Sequence, residues 1–195
     1  MRRLALAGPL CALVLAAAAG AAAPAPGTLE RLMALLAQRR HGEVPFVERD
    51  QLSVLTRPLV SSGVLIYDAP DHLEKRTLEP HPGTFILDQG ELTVIQGDRT
   101  YHLELSAYPR IAPYVQAIAD TLAGNRAGLE RLFQVRFAGT LAHWTLTLVP
   151  RQARHSRIRR IRIAGSRAAL ASVAIIERNG DRSLMLIGAA PGPRT

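Results

Sequence analysis

Asp88-Gln89-Gly90-Glu91-Leu92-Thr93-Val94-Ile95-Gln96-Gly97-Asp98-Arg99-Thr100-Tyr101-His102-Leu103-Glu104-Leu105-Ser106 is the stretch on which the architecture turns. Two turn triplets, Asp88-Gln89-Gly90 and Gln96-Gly97-Asp98, bracket short apolar runs. Between the second triplet and Ser106, Tyr101, Leu103 and Leu105 alternate with His102, Glu104 and Ser106, which gives one apolar face and one wet face. Short runs with period two, cut by Gly and Asp at intervals of roughly 8 to 12 residues, are the pattern of an antiparallel sheet.

Upstream the punctuation continues through Pro58, Ser61-Ser62-Gly63, Ala69-Pro70-Asp71 and Glu79-Pro80-His81-Pro82-Gly83. Val44 to Ser106 is therefore expected to hold six or so strands. Ahead of them, Leu29, Leu32, Met33 and Leu36 fall at helical spacing behind Thr28, a good N-cap, with Glu30 in the first turn; this helix is expected to end near His41-Gly42. Downstream, Ile111, Tyr114, Val115, Ile118 and Leu122 mark a second helix around Pro113, stopped by Gly124, and Asn125 to Phe133 reads as a short third. Strands resume at Val135 to Ala138, Trp144 to Val149, Ile158 to Ala164, Ala171 to Glu177 and Arg182 to Ile187. Asn179-Gly180 between the last two suits a type I′ hairpin.

The order helix, six strands, two helices, five strands is an α+β pattern. A continuous sheet of that many twisted strands has to curl, and three helices over its concave face leave room for a cavity.

The ends set the compartment. Arg2 and Arg3, the apolar run Leu4 to Ala19 and the small residues Gly20 to Ala23 have the layout of a secretory signal, so residues 1–23 are expected to be cleaved on export to the periplasm, leaving a single domain over 24–188 and a loose tail over 189–195. Cys11, the only cysteine, leaves with the signal, and with it any disulfide, thiolate nucleophile or Cys-based metal site. The formal charge of +8 becomes 8 − 2 = +6 without Arg2 and Arg3. Such a basic surface suits anionic lipid head groups or an acidic partner, and export argues against nucleic acid. Seven arginines, Arg151, Arg154, Arg157, Arg159, Arg160, Arg162 and Arg167, occur without an intervening acid; a solvated sheet face explains them, and so does contact with anionic head groups.

Catalytic chemistry finds no footing. There is no Gly-x-Ser-x-Gly elbow, no His-Glu-x-x-His pair and no phosphate-cradling glycine loop. His41, His72, His81, His102, His143 and His155 are scattered at turns and wet strand faces, and Asp68, Asp71 and Glu74 flank the Pro70 turn as structural acids do. No enzyme activity, metal or cofactor is expected.

The succession Phe46-Val47-Glu48-Arg49, then Leu59 to Lys75, then Gly90-Glu91-Leu92, with Trp144 to Pro150 and Ile161 to Gly165 further on, resembles the LolA-like family of outer-membrane lipoprotein carriers from about Leu29 to Ile187. The resemblance implies an incomplete antiparallel barrel of about eleven strands whose hydrophobic concave face is capped by three helices. It also implies a monomeric carrier that takes acylated cargo from an inner-membrane transporter, shields its acyl chains across the periplasm and passes it to an outer-membrane acceptor. One position departs from the family: Ala69 stands before Pro70 where well-characterised carriers have an arginine that helps hold the lid. In this the chain looks closer to a related branch that accompanies lipid or pigment export, such as that of aryl polyenes, and a glycolipid or aryl-polyene lipid is the alternative cargo. A reading of another class is an exported structural or interaction module with a filled core. On the carrier reading Leu32, Leu36, Leu65, Phe85, Leu103, Ile118, Leu122, Trp144 and Leu146 are the candidate cavity residues, and Arg57, Lys75, Arg76, Arg160 and Arg162 the candidate contacts to head groups or partners.

Overall fold

The structure, a computed structural model, describes residues 28–108, 112–152, 154 and 156–189. The signal segment, Cys11, Ile111, His155 and the tail beyond Ala189 lie outside the described residues. The chain begins with α1 (Thr28–Leu36) and a six-stranded meander: β1 (His41–Gln51), β2 (Leu59–Asp68), β3 (His72–Glu79), β4 (Gly83–Asp88), β5 (Glu91–Gln96) and β6 (Arg99–Glu104). A one-turn 3-10 segment (Leu105–Ala107), α2 (Ala112–Leu122) and α3 (Arg126–Leu132) follow. A second meander closes it: β7 (Phe133–Gly139), β8 (Trp144–Pro150), β9 (Ile158–Ser166), β10 (Ala169–Glu177) and β11 (Arg182–Ile187).

All eleven strands form one antiparallel sheet in the order β6-β5-β4-β3-β2-β1-β11-β10-β9-β8-β7. The two meanders are fused where β1 pairs with β11, Phe46 opposite Ile187 and Gln51 opposite Arg182. The edges β6 and β7 do not pair, so the barrel stays incomplete, and the α2–α3 connection between those edges is the chain's crossover. Three helices and an open, curled sheet are the α+β half-barrel that the pattern and the resemblance imply.

The core is lopsided. On β8, Trp144, Leu146 and Leu148 are buried while Thr145, Thr147 and Val149 alternate between them, half exposed. Ile158, Ile161 and Ile163 of β9 join them, and Leu32, Met33 and Leu36 of α1 with Leu129 of α3 complete the cluster. Under α2 and β4 to β6 only a small cluster forms, of Leu87, Leu92, Leu105 and Ala119. One half of the sheet is thus sealed and the other thinly roofed.

Four local expectations are corrected. The first helix ends at Leu36 rather than near His41-Gly42, because His41 is already in the ladder opposite Asp68 and the Arg40 carbonyl accepts from Ala69 N at 2.8 Å. Ser61-Ser62-Gly63 is not a turn but lies inside β2; the β2–β3 register shifts between Ser62 and Gly63, and a Cβ at Gly63 would stand 1.9 Å from the Arg76 carbonyl oxygen, so only glycine admits that approach. Leu105 leaves the alternating strand to start the 3-10 turn. The β10–β11 connection is not a type I′ turn: Gly180 has φ 95 and Asn179 does not share the positive φ. The longer loop, closed by Glu177 N donating to Asp181 O at 2.9 Å, lets the buried Asp181 carboxylate accept from Ser53 N at 2.7 Å.

Candidate functional site

Between the sheet and α2 lies a cavity of about 570 Å³. Its floor crosses the seam of the two meanders: Val44 of β1, Leu65 and Tyr67 of β2, and Val173, Ile175, Met185 and Ile187 of β10 and β11. One wall rises through Leu73, Phe85, Leu87, Leu92, Val94 and Leu103 of β3 to β6. Tyr114, Val115, Ile118 and Leu122 of α2 form the roof. Alternation along each strand explains the lining, since every second residue of a curled sheet points into the concave side. Where α1 and α3 cover that side the inward residues are buried; on the β4–β6 side Phe85 stays 44% exposed. The volume falls in the ~300–1,000 Å³ range of small-molecule sites. A methylene is close in size to a water molecule, whose share of liquid volume is ~30 Å³, so the space suits on the order of 15 to 20 methylenes.

A few polar groups break the apolar lining. Glu48, two residues along β1 from the buried Phe46, is ion-paired with Lys75 of β3 and accepts from Ser183 Oγ of β11 at 2.9 Å. The Lys75 ammonium also stands 5.2 Å from the centre of the Phe46 ring, a cation–π contact. Asp50, next along the same face, has its carboxyl pushed up by burial and by the Glu48 charge, against the opposing pull of Ser183 and Lys75. Burial, then the carboxylates of Glu177 and Glu48, push the Tyr114 phenol up to about 12, so at neutral pH it is a neutral hydroxyl. The site therefore has a long greasy trough with a charged spot near the β1–β3–β11 crossing, and elsewhere on its lining the Arg39 guanidinium, which donates to Ala168 O at 3.3 Å.

The sequence-derived candidates divide by half of the sheet. Leu65, Phe85, Leu103, Ile118 and Leu122 line the cavity. Leu32, Leu36, Trp144 and Leu146 do not; all four are sealed in the main core, with Trp144 2% exposed and its Nε1 donating to Arg167 O at 2.9 Å. They point to the concave side as read, but α1 and α3 close down on that half. The five basic candidates do not converge. Lys75 faces the cavity, Arg76 pairs with Glu74 at 2.8 Å, Arg57 is exposed in the β1–β2 loop, and Arg160 and Arg162 are exposed on β9. Sequence reasoning passed over Glu48, Ser183, Tyr114 and the β10–β11 floor. Glu48 had a readable signal: it shares strand parity with Phe46, which makes it a charge on an inward face.

His41, His72 and His102 each sit beside one carboxylate, Asp68, Asp88 and Glu91 in turn. Among the described residues no three His, Cys, Asp or Glu side chains gather as metal ligands do, and no helix is long and apolar enough to cross a membrane.

Residues 17–193 match the family described as "Outer membrane lipoprotein carrier protein LolA-like". No curated protein sequence matches the chain. Among solved structures, a LolA superfamily protein from Nitrosomonas europaea is 12% identical with a TM-score of 0.46, the alignment covering 88% of this chain and 96% of that one. A DUF1329 family protein from Desulfovibrio piger is 8% identical with a TM-score of 0.47, covering 82% and 88%. LprF from Mycobacterium bovis is 11% identical with a TM-score of 0.33, covering 89% and 97%.

Proposed function

The chain belongs to the LolA-like family of outer membrane lipoprotein carriers, and from that premise we propose that it is an exported carrier whose cavity shields the acyl chains of a lipoprotein between the inner and outer membranes. The observation that supports this is the half-roofed sheet: inward aliphatic side chains of β2 to β6, with α2 as their thin roof, surround about 570 Å³ of space instead of closing into a filled core. At ~0.8 kcal/mol per methylene, one long acyl chain resists leaving a bilayer by on the order of 10 kcal/mol, so a carrier needs a trough of comparable apolar area. It must also release, which requires cargo affinity to differ between states of the protein. The thin contact of α2 with the β4–β6 half makes that helix the element to move. Binding without turnover is the role this lining fits.

On this reading residues 1–23 direct export and are removed, and the domain over 24–188 works in the periplasm with a membrane transporter upstream and an acceptor at the outer membrane. Leu65, Phe85, Leu103, Ile118 and Leu122 contact the acyl chains, and Lys75 with Glu48 meets the polar end of the cargo. Native mass spectrometry of protein purified from its own periplasm tests the proposal. A bound mass equal to an acylated polypeptide supports it; a glycolipid or aryl-polyene mass assigns the trough to a non-protein lipid; a chain that never carries lipid in any preparation rules out the carrier.

A further inference from the structure

One end of the sheet carries a second surface, built by the β1–β2, β8–β9 and β10–β11 loops. There β1 ends at Gln51 opposite Arg182, and β10 ends at Glu177 opposite Ile158. The loops at that end are laced together. Ser53 N donates to Asp181 Oδ1 at 2.7 Å, Arg178 N to Arg157 O at 2.9 Å, and Arg178 Nε to Ser156 O at 3.1 Å. The β1–β2 loop, turned by Leu55 N donating to Leu52 O at 3.0 Å, thrusts Val54 into solvent at 85% exposure with Leu55 at 44%. Two adjacent aliphatic side chains at the tip of a hydrogen-bonded loop make an apolar point that a partner surface can cover.

Arg57, Arg151, Arg159, Arg160, Arg178 and Arg182 stand exposed around this end, and none forms an ion pair among the described residues. The acids beside them, Glu177 and Asp181, are both engaged by Arg157, the latter at 3.6 Å. The result is a strongly positive rim around a small greasy point.

We propose that this end of the sheet docks the carrier onto a bilayer surface rich in anionic lipid, with Val54 and Leu55 entering the headgroup boundary and the arginines meeting lipid phosphates. Charge alone would serve an acidic protein equally well. The tip favours the bilayer: a specific protein interface buries on the order of 1,200 Å² or more around a central anchor, whereas two aliphatic side chains ringed by arginine match the shallow insertion and electrostatic attraction of interfacial binding. Neither Val54 and Leu55 nor any of these six arginines lines the cavity, so docking and cargo loading are assayed separately.

Protein beginning at residue 24, which keeps every described element, tests this by co-sedimentation with vesicles of phosphatidylcholine alone or mixed equally with phosphatidylglycerol. Binding to the anionic vesicles only, weakened by salt, is expected. Val54→Ser with Leu55→Ser, which removes the apolar tip without changing the charge, should lower the partition coefficient on the order of 10-fold. Arg159→Glu, Arg160→Glu and Arg182→Glu together should lower it on the order of 100-fold or more. All five positions are exposed, and circular dichroism checks that each variant folds. The proposal is overturned if the anionic vesicles bring down no protein, or if the tip variant binds as wild type does, which would leave a purely electrostatic patch of the kind an acidic protein uses. Uptake of a fluorescent fatty acid by the same samples reports the cavity independently.

Discussion

Lys75→Met tests whether the charged spot in the trough is built as described. Methionine keeps the length of the stem but removes the cation, and leaves Glu48 on an apolar wall with Ser183 as its remaining partner among the described residues. The Glu48 and Lys75 side chains are 12% and 28% exposed, between a surface pair and a buried one. At an effective dielectric of ~20 and ~4 Å, Coulomb attraction is ~4 kcal/mol, and desolvation of both groups takes back most of it. Removing one partner of an exposed pair costs ~0–1 kcal/mol and of a buried pair ~3–5 kcal/mol. The lost contact with the Phe46 ring adds ~0.5–1 kcal/mol. A loss of about 2 kcal/mol at neutral pH follows. Urea unfolding followed by the fluorescence of Trp144, the single tryptophan, measures it, with an unchanged m-value as the control on compactness. Adding Glu48→Gln should restore stability to within ~1 kcal/mol of wild type. If Lys75→Met costs less than ~0.5 kcal/mol, or the double variant is as unstable as the single one, the pair does not hold this wall and the reasoning fails.

Truncations should separate sealed core from trough. Leu146→Ala, at 0% exposure among α1 and the β8–β9 residues, should cost ~2–5 kcal/mol in the same unfolding assay, while Leu103→Ala on the open wall should cost less than ~1.5 kcal/mol; equal losses would mean that both sites are packed alike. Asp120→Asn should stabilise the protein at neutral pH. The Asp120 carboxyl is held above its ordinary value chiefly by burial, against hydrogen bonds from Gln116 and Asn125, and its second oxygen has no partner among the described residues. A carboxyl raised in the folded state binds its proton more tightly there than in the unfolded chain, so stability falls as pH rises from below the ordinary aspartate value through the raised one. The variant should flatten that fall in thermal melts across acid pH. A variant melting below wild type at neutral pH would show that the charge is needed.

The order of elements was legible because local chemistry writes it. Glycine and proline punctuation set the hairpins of β3 to β6, and Asn125, which accepts from Gly128 N at 3.0 Å, starts α3 where its side chain says it should. What stayed hidden is non-local. Nothing in Val44 to Arg49 announces that β1 leaves its hairpin neighbour on one side and takes the last strand on the other, and that pairing is what fuses the meanders. Strand parity told which side chains face inward but not which half of the sheet α1 would seal, so Leu146 and Leu103 looked alike in sequence and differ in the fold. Asn179-Gly180 misled for the same reason. Its turn is set by the Asp181 carboxylate, whose partner Ser53 N lies in a distant loop.

Titration of delipidated protein with a fluorescent fatty acid is the most direct measurement. One saturable site is expected, competed by unlabelled fatty acid, abolished by Leu103→Trp and Ile118→Trp, which fill the trough from wall and roof, and retained in Lys75→Met. Absence of saturable binding, or binding that survives both tryptophans, would contradict the account.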